Sequence, residues 1–226
     1  MRLASKAQNE VFKRSPEIAQ RLFDKKLKDY FLQNKRSIEN LIKFINIFKK
    51  KYEKSDLKDI KKLRLYGFGE DKSKGNKNSD RKGYININGL NKIFRNELKE
   101  LRQVALSECY FDVKKNYKLK FPRSVKIVSI KHSNLGDKVA KKVILHEGIK
   151  KLVLQNNIIG DKGIKSLKIP NSVCFINLHY NEIKDEGAKA LTFSKNVKKV
   201  DLSSNKINES GQKELRKKYN KIKFKF

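Results

Sequence analysis

Apolar residues in the second half of the chain recur with a spacing of 24 residues. Alternating apolar residues predict a strand with one buried face, and the rest of each unit is long enough for a short helix of roughly two turns. A glycine follows each apolar run, and a leucine follows the glycine four residues later. The three best copies are Leu152-x-Leu154-x-x-Asn157-x-Ile159, Ile176-x-Leu178-x-x-Asn181-x-Ile183 and Val200-x-Leu202-x-x-Asn205-x-Ile207.

The same register extends in both directions along the chain. Forward, it predicts a last strand at Phe224 and Phe226; backward, it reaches Ile60-x-x-Leu63-x-Leu65, which lies 41 residues before the next unit. That first gap requires an insertion, which we assign to about residues 69–82 because their composition is typical of a flexible loop. The intermediate units carry Leu101, Val104, Leu106, Cys109, Phe111 and Leu119, and then Val125, Val128, Ile130, Ser133, Leu135 and Val143.

Polar residues at fixed places in each unit predict how the strand ends. An Asn, or Cys109 in its place, marks the turn out of the strand, where its side chain can hydrogen-bond the backbone of that turn and of the neighbouring one. Asp137, Asp161 and Asp185 stand where a helix needs an N-cap. No unit can bury its apolar face alone, so we expect neighbouring units to stack.

The repeats resemble leucine-rich repeats, and specifically the ribonuclease-inhibitor class. The segments that carry the resemblance are IIGDKGIKSL (158–167), EIKDEGAKAL (182–191) and KINESGQKEL (206–215), within a region of about 60–226. The resemblance implies an α/β solenoid with a parallel sheet on its concave face, helices on its convex face and a protein-binding role. The period of 24 is shorter than is usual in that class, so we expect shorter helices. No contact residue of the class can be carried over.

Residues 1–59 do not fit the repeat and predict two helices. Ser15-Pro16-Glu17 starts the first, whose apolar stripe includes Ile18, and Ser37 starts the second. We interpret this segment as a helical cap over the first repeat. A targeting or effector module is an alternative, and an amphipathic membrane helix is a third possibility.

The exposed side of the predicted sheet follows from the alternation of side chains. Ile127, Val153 and Phe175 are apolar at places that solvent should reach, so together with His179 and Tyr180 they form the predicted binding patch. The N-terminal segment or the 69–82 loop could instead fold over them. The predicted partner-binding residues are Tyr66, Ile127, Lys131, His132, Val153, Gln155, Phe175, Asn177, His179, Tyr180, Lys199 and Asp201.

A column of basic residues stands two places before the first buried residue of five strands. Strict alternation would point these side chains inward, which an unpaired cation does not tolerate, so we expect the backbone to leave strand geometry there and to form a positive rim. The rim could bind an acidic ligand or be a solvated edge. Its members are Lys61, Arg102, Lys126, Lys150 and Lys198.

The net charge of +32, from 56 basic and 24 acidic residues, is spread over the whole chain. It predicts an acidic partner, either a protein with acidic surface or a polyanion such as RNA or DNA. The alternative is a compositional bias, because lysine far outnumbers arginine while isoleucine and asparagine are abundant. Few arginines argue against sequence-specific reading of DNA bases.

The sequence does not predict catalysis, a cofactor or a metal site. His132 and His179 lie two strands apart on the predicted face, roughly 10 Å, which is too far to share one metal ion. Asp201 beside His179 could be an acid–base pair, but we interpret both as binding contacts. We expect Cys109 and Cys174 to be reduced, because their positions in the stack are too far apart for a disulfide bond.

Together these patterns predict a monomeric, non-enzymatic leucine-rich-repeat module that binds an acidic protein on its concave face, with polyanion binding as the alternative. The N-terminus has no apolar signal-peptide core and no run of about 20 apolar residues exists, so we expect a cytoplasmic protein, or one exported into a host cytosol without a Sec signal peptide. A leaderless, lysine-rich repeat protein is similar to repeat-containing effectors of intracellular bacteria.

Overall fold

The computed structural model describes residues 16–34, 36–51, 57–67, 85–111 and 118–226 of the chain. Within them, seven parallel strands form one sheet in the order β1-β2-β4-β6-β7-β8-β9, and β3 pairs with β5 in a separate two-stranded sheet. The strands are β1 (Lys62–Tyr66), β2 (Gln103–Ser107), β3 (Leu119–Lys120), β4 (Ile127–Lys131), β5 (Val143–Ile144), β6 (Lys151–Val153), β7 (Phe175–Asn177), β8 (Lys199–Asp201) and β9 (Lys223–Lys225).

The register of the sheet reproduces the sequence repeat. Val104 pairs with Val128, and every later strand pairs with a partner 24 residues further on, as Ile176 does with Val200. Leu63 of β1 pairs with Val104, so the first strand keeps the same register although 41 residues separate it from the next unit. The insertion predicted at 69–82 lies outside the described residues.

Helices form a second layer and stack on one another along the solenoid. The helices that belong to the repeats are short, as the short period predicts, except for the helix of the first repeat and that of the last repeat. The helices are α1 (Pro16–Gln33), α2 (Ile38–Lys51), α3 (Ile87–Asn96), α4 (Gly136–Ala140), α5 (Asp161–Ser166), α6 (Asp185–Ala190) and α7 (Glu209–Lys218), with a 3₁₀ turn at Leu57–Asp59.

The core lies between the two layers and is built from the predicted ladder. Leu154, Leu178 and Leu202 are all buried, with at most 1% of each side chain exposed. The ladder residues of the earlier units, from Ile60 to Val143, are buried as well. The prediction that the repeats stack with their apolar columns inside is confirmed.

The asparagine column ties each turn to its neighbours. Asn181 Oδ1 accepts from the N–H groups of Asn157 (3.2 Å) and Ile159 (3.0 Å), and its Nδ2 donates to the carbonyls of Leu154 and Leu178 (2.9 Å each). These backbone groups have left the strand ladder and would otherwise be buried without partners. Cys109, fully buried, occupies the same column as predicted, with its thiol 3.3 Å from the Ser107 carbonyl.

The aspartates do not cap their own helices, so that prediction is wrong. Asp161 and Asp185 are the first helical residues, and the carboxylate of Asp161 instead accepts from the N–H of Lys184 in the next repeat (2.8 Å). Asp137 and Asp185 bind Gly160 N–H (2.7 Å) and Asn208 N–H (2.9 Å) in the same way. Each of these carboxylates therefore links its own repeat to the following repeat, a contact that the pattern within a single repeat does not predict.

The repeated glycine follows from this crossing carboxylate. A Cβ placed on Gly163 would lie 2.5 Å from Asp137 Oδ1 and 3.0 Å from the Asp137 Cα. A Cβ on Gly211 would lie 2.5 Å from Asp185 Oδ1, and Gly187 meets Asp161 in the same way. Any side chain in this column would push the aspartate of the preceding repeat out of place, so the close approach itself requires glycine.

The two N-terminal helices pack together through aromatic side chains and lie against the start of the solenoid. Phe23 contacts Phe44 and Phe48 edge-on, with ring centroids 5.4 and 5.2 Å apart. The second helix begins as predicted, because Ser37 Oγ accepts from Asn40 N–H (3.2 Å). Ile18 lies in the predicted helix but is 43% exposed, so the apolar stripe is not buried at its first residue. Ser15 lies outside the described residues.

None of the described helices is both long enough and apolar enough to cross a membrane.

Candidate binding surface

The exposed face of the sheet carries rows of side chains that run across the strands. In the row nearest the strand starts, Ile127, Lys151, Phe175 and Lys199 are successive register partners. Phe175 therefore stands between two lysines, and the Lys151 Nζ lies 4.7 Å from the centroid of its ring. The row is basic and aromatic, and an ammonium over a ring is favourable in itself.

The predicted apolar patch needs correction in two respects. Lys151 lies between Ile127 and Phe175, so these two side chains do not form one apolar surface. Val153 belongs to a different row, between Ser129 and Asn177, and is only 5% exposed. Side chains converge on a concave sheet, so a short branched residue in a middle row is shielded by its neighbours.

A hydrogen-bonded cluster lies beside this row at β7 and β8. Ser203 Oγ donates to Asp201 Oδ1 (2.5 Å), and His179 Nδ1 lies 2.9 Å from the same hydroxyl and 3.0 Å from the Ser203 carbonyl. Partial burial would raise the pKa of Asp201, but the bonds from the Ser203 hydroxyl and N–H, with Lys225 and His179 nearby, lower it below its usual value. Asp201 is 9% exposed and its charge is directed into this cluster, so it is less available to a partner than predicted.

The cluster holds a serine, a histidine and an aspartate, but not in an order that activates a nucleophile. The serine proton is directed to the carboxylate, whereas a catalytic serine gives its proton to the imidazole. The Ser203 carbonyl can only accept, which places the proton of His179 on Nδ1. The hydrogen bonds hold the His179 ring and the Asp201 carboxylate in fixed positions on the face. The described residues contain no group of three His, Cys, Asp or Glu side chains with metal-binding geometry.

A residue one to three places after the strand adopts a left-handed backbone conformation in five consecutive repeats. A residue other than glycine costs energy in this conformation. Tyr180 is held in this conformation with 59% of its surface exposed, and its ring centroid is 6.0 Å from that of His179. The residues and their φ angles are Glu108 (52°), His132 (49°), Asn156 (53°), Tyr180 (57°) and Ser204 (56°).

The remaining predicted contact residues are spread over the face. His132 is exposed and its Nδ1 lies 2.8 Å from Asn156 Nδ2, so it belongs to a different cluster from His179. Tyr66, 55% exposed, donates to Glu108 Oε1 (2.7 Å), and this bond raises the pKa of the phenol. Lys199 is exposed, and Lys131, Gln155 and Asn177 are partly exposed.

The basic column of the predicted rim stands directly before the strands. There the backbone departs from the regular hydrogen bonding of a parallel sheet. The Arg102 carbonyl accepts from two successive N–H groups, those of Lys126 (2.8 Å) and Ile127 (3.1 Å). Lys126 and Lys150 repeat this pattern towards the next strands. Arg102, Lys150 and Lys198 are exposed, whereas Lys61 and Lys126 are partly exposed.

The described N-terminal helices lie at β1, four strands away from Phe175 in the sheet order. Their contact with the sheet includes Gln20, whose side chain bonds the backbone of Lys61 and Lys62. These helices therefore do not cover the Phe175 row, which was one of the alternatives considered from the sequence. The 69–82 loop, the other possible cover, is outside the described residues.

Comparison with known proteins identifies the repeat. Residues 149–168, 175–191 and 193–215 match a family model described as a leucine-rich repeat. These segments contain β6, β7 and β8, all of α5 and α6 and most of α7, and the same register runs through the sheet from β2 to β9. These three C-terminal repeats therefore match the leucine-rich repeat that the sequence predicts. The search of curated proteins finds no match to the chain. Proteins of this class are generally interaction modules, which supports a binding role.

Proposed function

We propose that this protein binds an acidic segment of another protein on the concave face of its sheet. The observation that carries the proposal is the row in which Phe175 stands between Lys151 and Lys199. The two lysines are two strands apart, about 10 Å. Such a row fits a segment that presents two acidic side chains at that distance and an apolar side chain between them.

The charge balance of the face supports an acidic partner. The two carboxylates on its strands and turns already have partners, since Asp201 is bonded to Ser203 and Glu108 to Tyr66. Within the described part of the chain only Arg64 and Lys225 of these strands have a carboxylate beside them, so the attraction of the other cations for a partner is not offset there. The basic residues on these strands are Lys62, Arg64, Lys131, Lys151, Lys199, Lys223 and Lys225.

The rigidity of the face supports a protein partner. The Asn column fixes the strand ends, so the surface is formed before binding and little conformational entropy is lost. A single-stranded nucleic acid would be expected to stack on aromatic rings from several strands, and the row offers the Phe175 ring alone. The similarity to exported effectors and the monomeric state stay predictions, which a translocation assay and sedimentation would test.

Affinity capture with matched variants tests the proposal. Phe175→Glu places a negative charge in the row, and Ser166→Glu makes the same charge change on the exposed end of α5 in the helical layer. We expect wild type and Ser166→Glu to capture the same acidic protein after nuclease treatment, and Phe175→Glu to lose it while melting at nearly the same temperature.

The captured protein is then purified and titrated directly against each variant. If capture disappears after nuclease treatment, the ligand is a nucleic acid and the proposal is overturned. The same holds if the logarithm of the association constant falls steeply with the logarithm of the salt concentration. A large loss of folding in Phe175→Glu would show that Phe175 is part of the core.

A further inference from the structure

The first strand of the sheet has an edge that the described residues cover only in part. Its odd-numbered residues bond to β2: the Lys61 carbonyl accepts from Gln103 N–H (2.9 Å), and Gly67 N–H donates to the Ser107 carbonyl (2.9 Å). In a parallel ladder the alternate residues point their N–H and C=O groups the other way. The backbone groups of Lys62, Arg64 and Tyr66 are therefore directed outward from the sheet.

The first part of this edge is closed by Gln20 on α1. Its Oε1 accepts from Lys62 N–H (2.8 Å) and its Nε2 donates to the Lys62 carbonyl (2.9 Å). One side-chain amide thus satisfies both backbone groups of a residue, as a neighbouring strand would. Among the described residues nothing does the same for Arg64 or Tyr66, so two outward pairs of backbone groups remain as a template for another strand.

A cavity of about 220 Å³ opens beside these groups, between α1 and β1. Leu27 and Leu65 give it an apolar floor, and both are almost fully buried. Its polar lining is mainly cationic, because Arg64 is already paired with Asp24 (3.1 Å) while Lys28 and Arg36 are not in an ion pair within the described residues. Arg36 lies over the Tyr66 ring, with its Cζ 5.6 Å from the ring centroid.

We propose that this groove binds an extended segment of a partner protein, which adds as a further strand beside β1. The alternating backbone groups of Arg64 and Tyr66, which no described residue bonds, select an extended main chain. The cavity takes an apolar side chain of the segment, and Lys28 and Arg36 select an acidic residue next to it. The site is four strands from Phe175, roughly 19 Å, so it is separate from the concave surface and does not depend on it.

A panel of capped heptapeptides tests the proposal directly. The peptides alternate valine, isoleucine or phenylalanine with glutamate, and matched sets carry lysine or serine in place of glutamate. We expect the glutamate set to bind, and binding to slow hydrogen exchange at the Arg64 and Tyr66 amides. The same peptide N-methylated on the residues that face β1 should bind about tenfold more weakly, since it loses main-chain donors.

Protein variants separate the charge from the main chain. Arg36→Glu should abolish binding of the glutamate set, while Lys43→Glu, the same charge change at an exposed position of α2, should not. Arg64→Pro removes one outward N–H and fills its place with a ring, a change that an edge strand tolerates. We expect it to weaken binding about tenfold or more.

The results of these experiments test the β1 site independently of the concave face. Phe175→Glu should leave the protection that the peptides give to the Arg64 and Tyr66 amides as it is in wild type, so failure of the concave-face proposal would leave this one standing. The proposal is overturned if no glutamate peptide binds, if lysine peptides bind equally well, or if bound peptide leaves exchange at Arg64 and Tyr66 unchanged. If Arg64→Pro does not fold, the N-methylated peptides still decide the question.

Discussion

Replacing Gly187 with alanine tests how the repeats are joined on the helical side. Gly187 is buried in α6, and an added Cβ would lie 3.0 Å from both the Cα and the Cγ of Asp161, with Oδ1 nearer still. The obstacle is partly backbone, so a change of side-chain rotamer cannot remove it. The carboxylate that holds Lys184 N–H would have to move.

The expected magnitude combines three effects. Alanine favours a helix over glycine by about 1 kcal/mol. Overpacking costs about 1–3 kcal/mol, and the charge-assisted bond from Lys184 N–H contributes about 1.5–3 kcal/mol, at the lower end here because the bond is exposed. The net loss is about 2–3 kcal/mol, equivalent to about 4–12 °C in melting temperature for a chain of this size.

Urea unfolding measures this loss, followed by far-UV circular dichroism and by tyrosine fluorescence, since the chain has eight tyrosines and no tryptophan. Both probes are needed because neighbouring repeats can unfold separately. Gly160→Ala is the matched control: its Cβ would lie 3.4 Å from the Asp137 oxygens, an ordinary contact, and we expect a loss below about 1 kcal/mol. In an Asp161→Ala background, the cost of Gly187→Ala should shrink.

A neutral or stabilising effect of Gly187→Ala would refute this reasoning. So would a cost for Gly160→Ala as large as that for Gly187→Ala. Either result would mean that the glycine column reflects the backbone of its own helix and not the aspartate of the preceding repeat.

Three other predictions concern single side chains. Asn181→Ala strips partners from two N–H groups and two carbonyls, so we expect a loss of about 3–5 kcal/mol in urea unfolding; a loss below about 1 kcal/mol would contradict the role of the column. Because the folded pKa of Asp201 is below its ordinary value of 3.8, its stabilisation is present above that pH and is lost as the pH falls through the folded pKa. Asp201→Asn should therefore flatten the acid limb of the stability profile, and an unchanged limb would show that Asp201 does not contribute. Gln20→Ala should speed hydrogen exchange at the Lys61 and Lys62 amides without changing exchange in β9, and equal exchange in both proteins would rule out its role at the edge.

The fold was largely predictable because one physical requirement repeats at a fixed period. A leucine every second place at the strand and an asparagine at its end determine which face is dry and where the turn falls. The register partners and buried columns follow from that spacing alone. The helix α3 and the small β3–β5 sheet were not predicted, since they lie where the repeat is longest or most degenerate.

The candidate binding surface was predicted less well because its make-up depends on neighbours across strands. Alternation correctly places Phe175 on the exposed face, but it does not show that Lys151 stands beside it or that Val153 is shielded. Asp161 looks like an N-cap within its own repeat, and only the stacked structure shows that its acceptor role serves the next one. Likewise, nothing in the local sequence of Gln20 indicates a partner 42 residues away.

Photocrosslinking from the concave face tests the central claim most directly. A photoreactive phenylalanine derivative is introduced in place of Phe175 and, separately, in place of Ser166 in the helical layer, and crosslinked peptides are identified by mass spectrometry. The account predicts nuclease-resistant crosslinks from position 175 to an acidic segment of one protein, with none from position 166. Crosslinks of equal yield from both positions, or crosslinks to nucleic acid alone, would contradict it.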